Sequence, residues 1–195
     1  MVNSKGDIVK TIKNKKGEDV AISAEEINPR AEYKKTSLED KYFPVFEYSE
    51  NGKIEAYVLP IYGNGLWDEI YGFIAVKSDF NTVKGIGFGH KAETPGLGAR
   101  ITEAEVQGRF QDRLIYDAKG MVALQFLKGE KNVIADDNKS DVDGLSGASM
   151  TTKGVNAMLS NYMGYYKAFF DKHQSAATPK AVSYTHLRAH ETRHD

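Results

Sequence analysis

Three groups of residues carry side chains and spacings able to do chemistry. The first is Asp143-Gly144-Leu145-Ser146-Gly147-Ala148-Ser149-Met150-Thr151-Thr152, a small-residue, hydroxyl-rich run placed directly before a helical pattern. A hydroxyl at a helix start sits where backbone N–H groups and the helix dipole favour a phosphate. The run is therefore a candidate point for binding or attaching a phosphorylated cofactor. Within it, Gly144-Leu145-Ser146-Gly147-Ala148 approaches the G-x-S-x-G elbow of serine hydrolases, with Ala148 in place of the last glycine. A hydrolase also needs a histidine base and a carboxylate. Outside the tail the chain offers only His90 and His173, and their order does not point to a triad. The second group is the glycine-rich loop Glu93-Thr94-Pro95-Gly96-Leu97-Gly98, and the third is Gly65-Leu66-Trp67, which holds the only tryptophan.

Other chemistries find less support. Asp141, Asp143 and Gly144 resemble the end of a calcium loop, but Lys139 takes the first ligand position and Met150 the last, so a solvated acidic turn is expected. The glycines 85, 87 and 89 are too compressed for a dinucleotide fingerprint and run into a loop rather than a helix, so NADH binding by this domain is not expected. There are no cysteines, which removes disulfides, iron–sulfur clusters and thiolate chemistry. A net charge of −1 gives no general reason to bind nucleic acid. The cluster Lys10, Lys13, Lys15 and Lys16 reads as a solvated turn.

Positioning these groups requires a framework. The chain has 195 residues, 41% of them hydrophobic, enough for one domain with a core. Residues 1–50 are polar and irregular, with β-prone pieces such as 8–12. Strands are expected at 56–62, 71–76 and 82–88, in an antiparallel meander with turns at 63–67 and 78–81. A loop follows at 89–98. Thr102 and Glu105 have capping-box spacing, which predicts a short helix to about residue 114. Another strand is expected at 121–127 and an acidic turn at 132–143. From Thr152, the residues Val155, Met158, Leu159, Tyr162, Met163, Tyr166 and Phe169 recur every three or four positions, predicting an amphipathic helix over 152–172 packed on the sheet. The fold class is α+β, a largely antiparallel sheet against a long C-terminal amphipathic helix and shorter helices.

Taken in order, Gly65-Leu66-Trp67, Tyr71-Gly72-Phe73, Glu93-Thr94-Pro95-Gly96-Leu97-Gly98 and Asp143-Gly144-Leu145-Ser146-Gly147-Ala148-Ser149 resemble the FMN-binding domain found in the C subunit of the sodium-translocating NADH:quinone oxidoreductase. The G subunit of the Rnf electron-transfer complex is the related alternative, and the Gly-Leu-Trp element favours the former. The resemblance covers roughly residues 3–173 and implies an electron-transfer domain carrying covalent FMN. In that family a flavin transferase uses FAD to attach FMN by a phosphoester to the hydroxyl residue after Ser-Gly-Ala. That position is Ser149, where the family usually has threonine; Thr151 and Thr152 are fallback acceptors. Ser146, Gly147 and Ala148 complete the small-residue approach. Asp143 matches the motif's acidic position, where it orients or deprotonates the acceptor; a turn-forming aspartate is the other reading. By resemblance, Trp67, Glu93, Thr94, Leu97 and Gly98 contact the flavin; for Trp67 and Leu97 a place in the core is the lesser alternative.

The resemblance implies other subunits of a membrane redox complex as partners, a flavin transferase for maturation, no nucleic acid and no metal. It assigns no independently catalytic residue. It places the domain on the outer face of the cytoplasmic membrane, below an N-terminal anchor not found in this sequence. The chain therefore reads as a soluble fragment with an internal start codon, domain 1–174. The tail 175–195 reads as disordered or foreign, and its His186, His190 and His194 as no metal site. A flavin-free binding domain and a serine hydrolase using Ser146 are the alternatives of other classes.

Overall fold

The computed structural model describes residues 1–14 and 16–177. Its centre is an antiparallel four-stranded sheet in the order β5 (Phe46–Glu50), β6 (Lys53–Asn64), β7 (Glu69–Lys77) and β8 (Val83–His90). The expected meander is present, lengthened at both ends and extended by β5. Strand alternation explains its buried face. Tyr57, Leu59 and Ile61 of β6 lie opposite Val76, Ile74 and Gly72 of β7, and Gly72 and Ile74 lie opposite Phe88 and Ile86 of β8. This face is covered by α3 (Ser149–Ala177), whose Val155, Leu159, Tyr162, Met163, Tyr166 and Phe169 are buried. The helix spans about 43 Å at 1.5 Å per residue. Two buried tyrosines tie it to the rest: the Tyr166 hydroxyl donates to the Pro44 carbonyl at 2.7 Å, and the Tyr116 hydroxyl to the Met163 carbonyl at 2.7 Å.

The remaining elements are short. The N-terminal part contains β1 (Val2–Asn3) paired with β4 (Tyr42–Phe43), the hairpin of β2 (Thr11–Lys13) and β3 (Asp19–Ala21), and α1 (Pro29–Lys34) capped by Asn28. Within the basic turn, Lys13 pairs with Asp19 at 3.1 Å on an exposed hairpin. After the sheet come a 3-10 turn (Gly98–Thr102), α2 (Ala104–Gly108), and β9 (Gln125–Phe126) paired in parallel with β10 (Asp141–Val142). None of the described helices is long and apolar enough to cross a membrane. Helix α3 runs to Ala177, and the reading of residues 178–195, with its three histidines, lies outside the described residues.

Three expectations are corrected. The helix predicted to about residue 114 ends at Gly108, and the capping box does not form. Thr102 instead donates to the Ala99 carbonyl at 2.9 Å, and Glu105 pairs with Arg109. The strand expected at 121–127 shrinks to two residues plus the isolated bridge of Tyr116 with Val122, because the chain there serves as a strap over α3. The long helix begins at Ser149 rather than Thr152, so Ser149, Thr151 and Thr152 of the opening run belong to its first turn, while Ser146 precedes it.

One packing contact fixes where that first turn sits. A Cβ on Gly154 would stand 2.3 Å from the Asn64 carbonyl oxygen, so the helix lies directly on the end of β6. Alanine normally stabilises a helix interior by about 1 kcal/mol over glycine. At Gly164, where a Cβ meets nothing within 4 Å, Gly164→Ala is expected to raise stability by about that amount. Gly154→Ala is expected to lower it by about 1–3 kcal/mol, because backbone cannot move aside as a side chain can. Urea unfolding of the two variants checks this; equal shifts of one sign would show that α3 does not bear on β6 as described.

Candidate functional site

The β6–β7 hairpin turn, the loop after β8 and the start of α3 converge on one buried carboxylate. Glu93 is 4% exposed. Its Oε1 accepts the Trp67 backbone N–H at 2.9 Å, and its Oε2 accepts the Thr151 hydroxyl at 2.5 Å. Glycines flank it for a steric reason: a Cβ on Gly65 would come 2.5 Å from Oε1, and one on Gly98 would come 2.5 Å from Oε2 and 2.4 Å from the Thr151 oxygen. The Glu93 N–H donates to His90 Nδ1 at 3.2 Å, and the Trp67 indole N–H donates to Thr94 Oγ1 at 3.2 Å. Three segments far apart in sequence are thereby joined through a single side chain.

Around this strut the apolar residues face outward. Trp67 is 68% exposed, and Leu66, Leu97 and Met150 are also exposed. The reading of Trp67 and Leu97 as core residues is therefore corrected: their backbones are fixed by the turns while their side chains project to solvent. Gly147, at a φ of 73°, occupies the left-handed region, and a Cβ there would stand 2.7 Å from Leu97 Cδ2. The loop at 93–98 and the Ser-Gly-Ala turn therefore touch.

The hydroxyls separate by accessibility. Ser149 is the first residue of α3 and is exposed, as is Ser146. Thr151 is 1% exposed and its hydroxyl is held by Glu93. Thr152 is buried and its hydroxyl donates to the Ser149 carbonyl at 3.1 Å. The two threonines are built into the helix start, which leaves Ser149 as the accessible hydroxyl following Ser-Gly-Ala. Ser149 opens into a cleft of about 490 Å³ whose other walls are Phe126, Leu127, Lys128, Thr152, Lys153 and Asn156.

Asp143 stands apart, fastening the loop before the Ser-Gly-Ala turn. Its carboxylate accepts the backbone N–H groups of Lys131 and Asn132, each at 2.9 Å, and the Asn132 side-chain amide at 2.8 Å. Burial pushes its carboxyl up, but these hydrogen bonds and the nearby Arg109 outweigh burial and hold it below the usual range. Sequence reasoning missed the ion-pair cluster beside it. Arg100 binds Glu130 through both terminal nitrogens at 3.0 and 2.9 Å, and Arg109 joins Glu130 at 3.0 Å while donating to the Gly144 carbonyl at 2.7 Å. Spacing alone carries no signal for pairs 21 and 30 residues apart.

The hydrogen bonds from Arg100, then Arg109 and the Ser146 N–H, hold Glu130 down to about 2 from the ordinary 4.5. A depressed folded-state value stabilises above pH 4.5, and the contribution is lost as pH falls from 4.5 toward about 2. Glu130→Gln is expected to lower stability at neutral pH and to flatten the fall of the urea midpoint across that acid window. Coincident pH profiles for the two proteins would contradict it.

Among the described residues the arrangement offers no serine-hydrolase triad. The Ser146 backbone N–H donates to Glu130 at 3.3 Å. Of the two histidines among the described residues, His90 accepts from Glu93, and His173 contacts the Phe169 carbonyl at 2.9 Å near the other end of α3. Among the described residues no group of acidic and histidine side chains forms a metal cage.

Comparison with known proteins places these elements. The family described as FMN-binding domain matches residues 65–164, which span all three converging segments. The C subunit of the Na(+)-translocating NADH-quinone reductase of Pseudomonas aeruginosa is 38% identical over 125 residues, covering 64% of this chain and 48% of that protein. Its counterpart in Neisseria meningitidis serogroup A is 37% identical over 163 residues, covering 82% of this chain and 61% of that protein. The chain thus spans about half to three-fifths of the length of these curated relatives. The crystal structure of the same subunit from Parabacteroides distasonis superposes with a TM-score of 0.70 at 31% identity, covering 87% of this chain and 75% of that one.

Proposed function

The chain belongs to the FMN-binding domain family, and from that premise we propose that it is the flavin-carrying domain of the C subunit in a sodium-translocating NADH:quinone reductase, with FMN joined covalently to Ser149. The observation that carries this reading is the exposure of Ser149 at the head of α3 while Thr151 and Thr152 are buried and hydrogen-bonded.

The residues fit the group. Attachment requires a hydroxyl that a transferase can reach, and Ser149 provides it. Its oxygen attacks the phosphorus of the FMN half of FAD, the phosphoanhydride bond breaks, AMP leaves and the hydroxyl proton passes to base. The phosphoester that forms keeps one negative charge, beside the first-turn N–H groups of a 29-residue helix. Gly147 and Ala148 keep the approach narrow on the protein side. Trp67, Leu66, Leu97 and Met150 offer apolar faces within the same region. When bound, the flavin supplies the electron-carrying chemistry, and the protein supplies position and electrostatics. Thr94 holds the Trp67 ring through its indole N–H and so sets the tilt of that face. Glu93 contributes from beneath, as the support of the loop and the helix start. Asp143 shapes the turn, and whatever it does for a transferase it does through that shape.

In this reading the partners are the other subunits of the membrane complex and a flavin transferase, and the domain faces outward from the cytoplasmic membrane. The test is co-expression with a flavin transferase followed by denaturing electrophoresis under ultraviolet light. Fluorescence that survives denaturation is the expected result. A dark band beside a fluorescent positive control overturns the covalent reading.

A further inference from the structure

We propose that Lys128 and Lys153 form a two-lysine seat for the phosphate groups of the flavin donor, beside Ser149. The inference rests on the covalent-flavin reading and adds to it the residues that neutralise the transferred group.

The seat follows from how two elements are pinned together. On a helix, positions three, four and seven apart share one face. Ser149, Thr152, Lys153 and Asn156 therefore line one wall of the cleft. Asn156 grips the opposite wall with both ends of its amide: it accepts the Phe126 N–H at 2.8 Å and donates to the Phe126 carbonyl at 2.9 Å. One residue on, the Leu127 N–H donates to the Val142 carbonyl at 2.8 Å, and the Lys128 carbonyl accepts from the Asn132 amide at 3.3 Å. A Cβ on Gly144 would sit 2.0 Å from the Leu127 oxygen and 2.4 Å from that of Gly129, so the backbone on both sides of Lys128 is wedged. The root of Lys128 is thus fixed across the cleft from Lys153.

Charge supplies the second argument. Arg100 and Arg109 in the neighbouring cluster are each paired with Glu130. Lys128 and Lys153 are exposed, and among the described residues neither makes an ion pair. No carboxylate lines their cleft. Two unneutralised cations flanking one accessible hydroxyl match a diphosphate, which carries about two negative charges during transfer and leaves one on the phosphoester. The lysines act on the phosphate and leave the ring to the residues at 65–67 and 93–98.

The test measures flavin transfer from FAD, as in-gel fluorescence against time, for the wild type, Lys128→Gln with Lys153→Gln, and Lys128→Arg with Lys153→Arg. The double glutamine variant is expected to slow transfer by about tenfold at low salt and to lose most of the salt dependence. The double arginine variant is expected to restore both. Equal melting temperatures confirm that these surface changes leave the fold intact. In parallel, inorganic pyrophosphate is titrated into Ser149→Ala and followed by amide chemical shifts, with and without the glutamine pair. Shifts at 126–128 and 149–156 that vanish in the glutamine background support the seat even if no flavin is transferred, in which case only the covalent reading falls. Transfer within twofold of wild type and an unchanged titration overturn the seat while leaving Ser149 as the acceptor.

Discussion

Ser149→Ala is expected to abolish covalent flavin, taking the fluorescent band to background, while Ser146→Ala keeps most of it. The expectation comes from accessibility. Loss of the Ser149 oxygen leaves Ser146 as the exposed hydroxyl of the turn, but Ser146 lies before Gly147, whose positive φ turns the chain. The two serines therefore project from different arms of a turn, and a transferase that positions one does not position the other. Thr151 and Thr152 cannot substitute without unwinding the helix start, since both are buried and engaged. Ser149→Thr is expected to retain attachment, because it keeps the hydroxyl and adds only a methyl at an exposed site. Ser149→Ala protein with undiminished fluorescence, located by peptide mapping to another residue, would move the acceptor.

The second large effect belongs to Glu93. Glu93→Ala removes both acceptors at once and strands a buried hydroxyl and a backbone N–H. Each stranded group costs about 1–3 kcal/mol, so a total of about 2–6 kcal/mol is expected. For a domain of this size that is a fall in melting temperature of about 4–24 °C. Glu93→Gln is expected to be much milder. Its amide oxygen can accept the Trp67 N–H, and its amide nitrogen can donate to Thr151, whose hydroxyl reverses role. The contrast separates a hydrogen-bonding strut from a required negative charge. If Gln is as damaging as Ala in thermal unfolding, the charge matters and the strut account is wrong. Flavin transfer to Glu93→Ala is expected to fall as well, because Trp67, the 93–98 loop and the helix start lose their common support.

The sheet and the long helix were readable from sequence because their composition and period are local signals. Residues 56–62 and 71–76 are rich in Tyr, Ile, Val and Phe, and Val155 to Phe169 repeat every three or four positions. The short elements were not. β5 is an exposed edge strand with the composition of a loop, and its pairing with β6 depends on partners rather than on its own pattern. The capping-box spacing at Thr102 was a local signal overruled by Arg109, which draws Glu105 sideways. At the site, the glycines of 65, 98 and 147 announced close approach, but not what they approach. That Glu93 turns inward, while Trp67 turns outward, follows from contacts between segments 26 and 58 residues apart. No window of sequence contains them.

The convergence on Glu93 also sets an order of events in the life of the chain. The core is closed by side chains alone, with α3 seated on the sheet and Tyr166 and Tyr116 bonded inside it. The turn at 65–67, the loop at 93–98 and the helix start at 149–151 are brought together by contacts that only the finished fold supplies. A modifying enzyme that reads all three would inspect the completed domain, so labelling would act as a checkpoint on folding, and misfolded copies would leave the line unmarked.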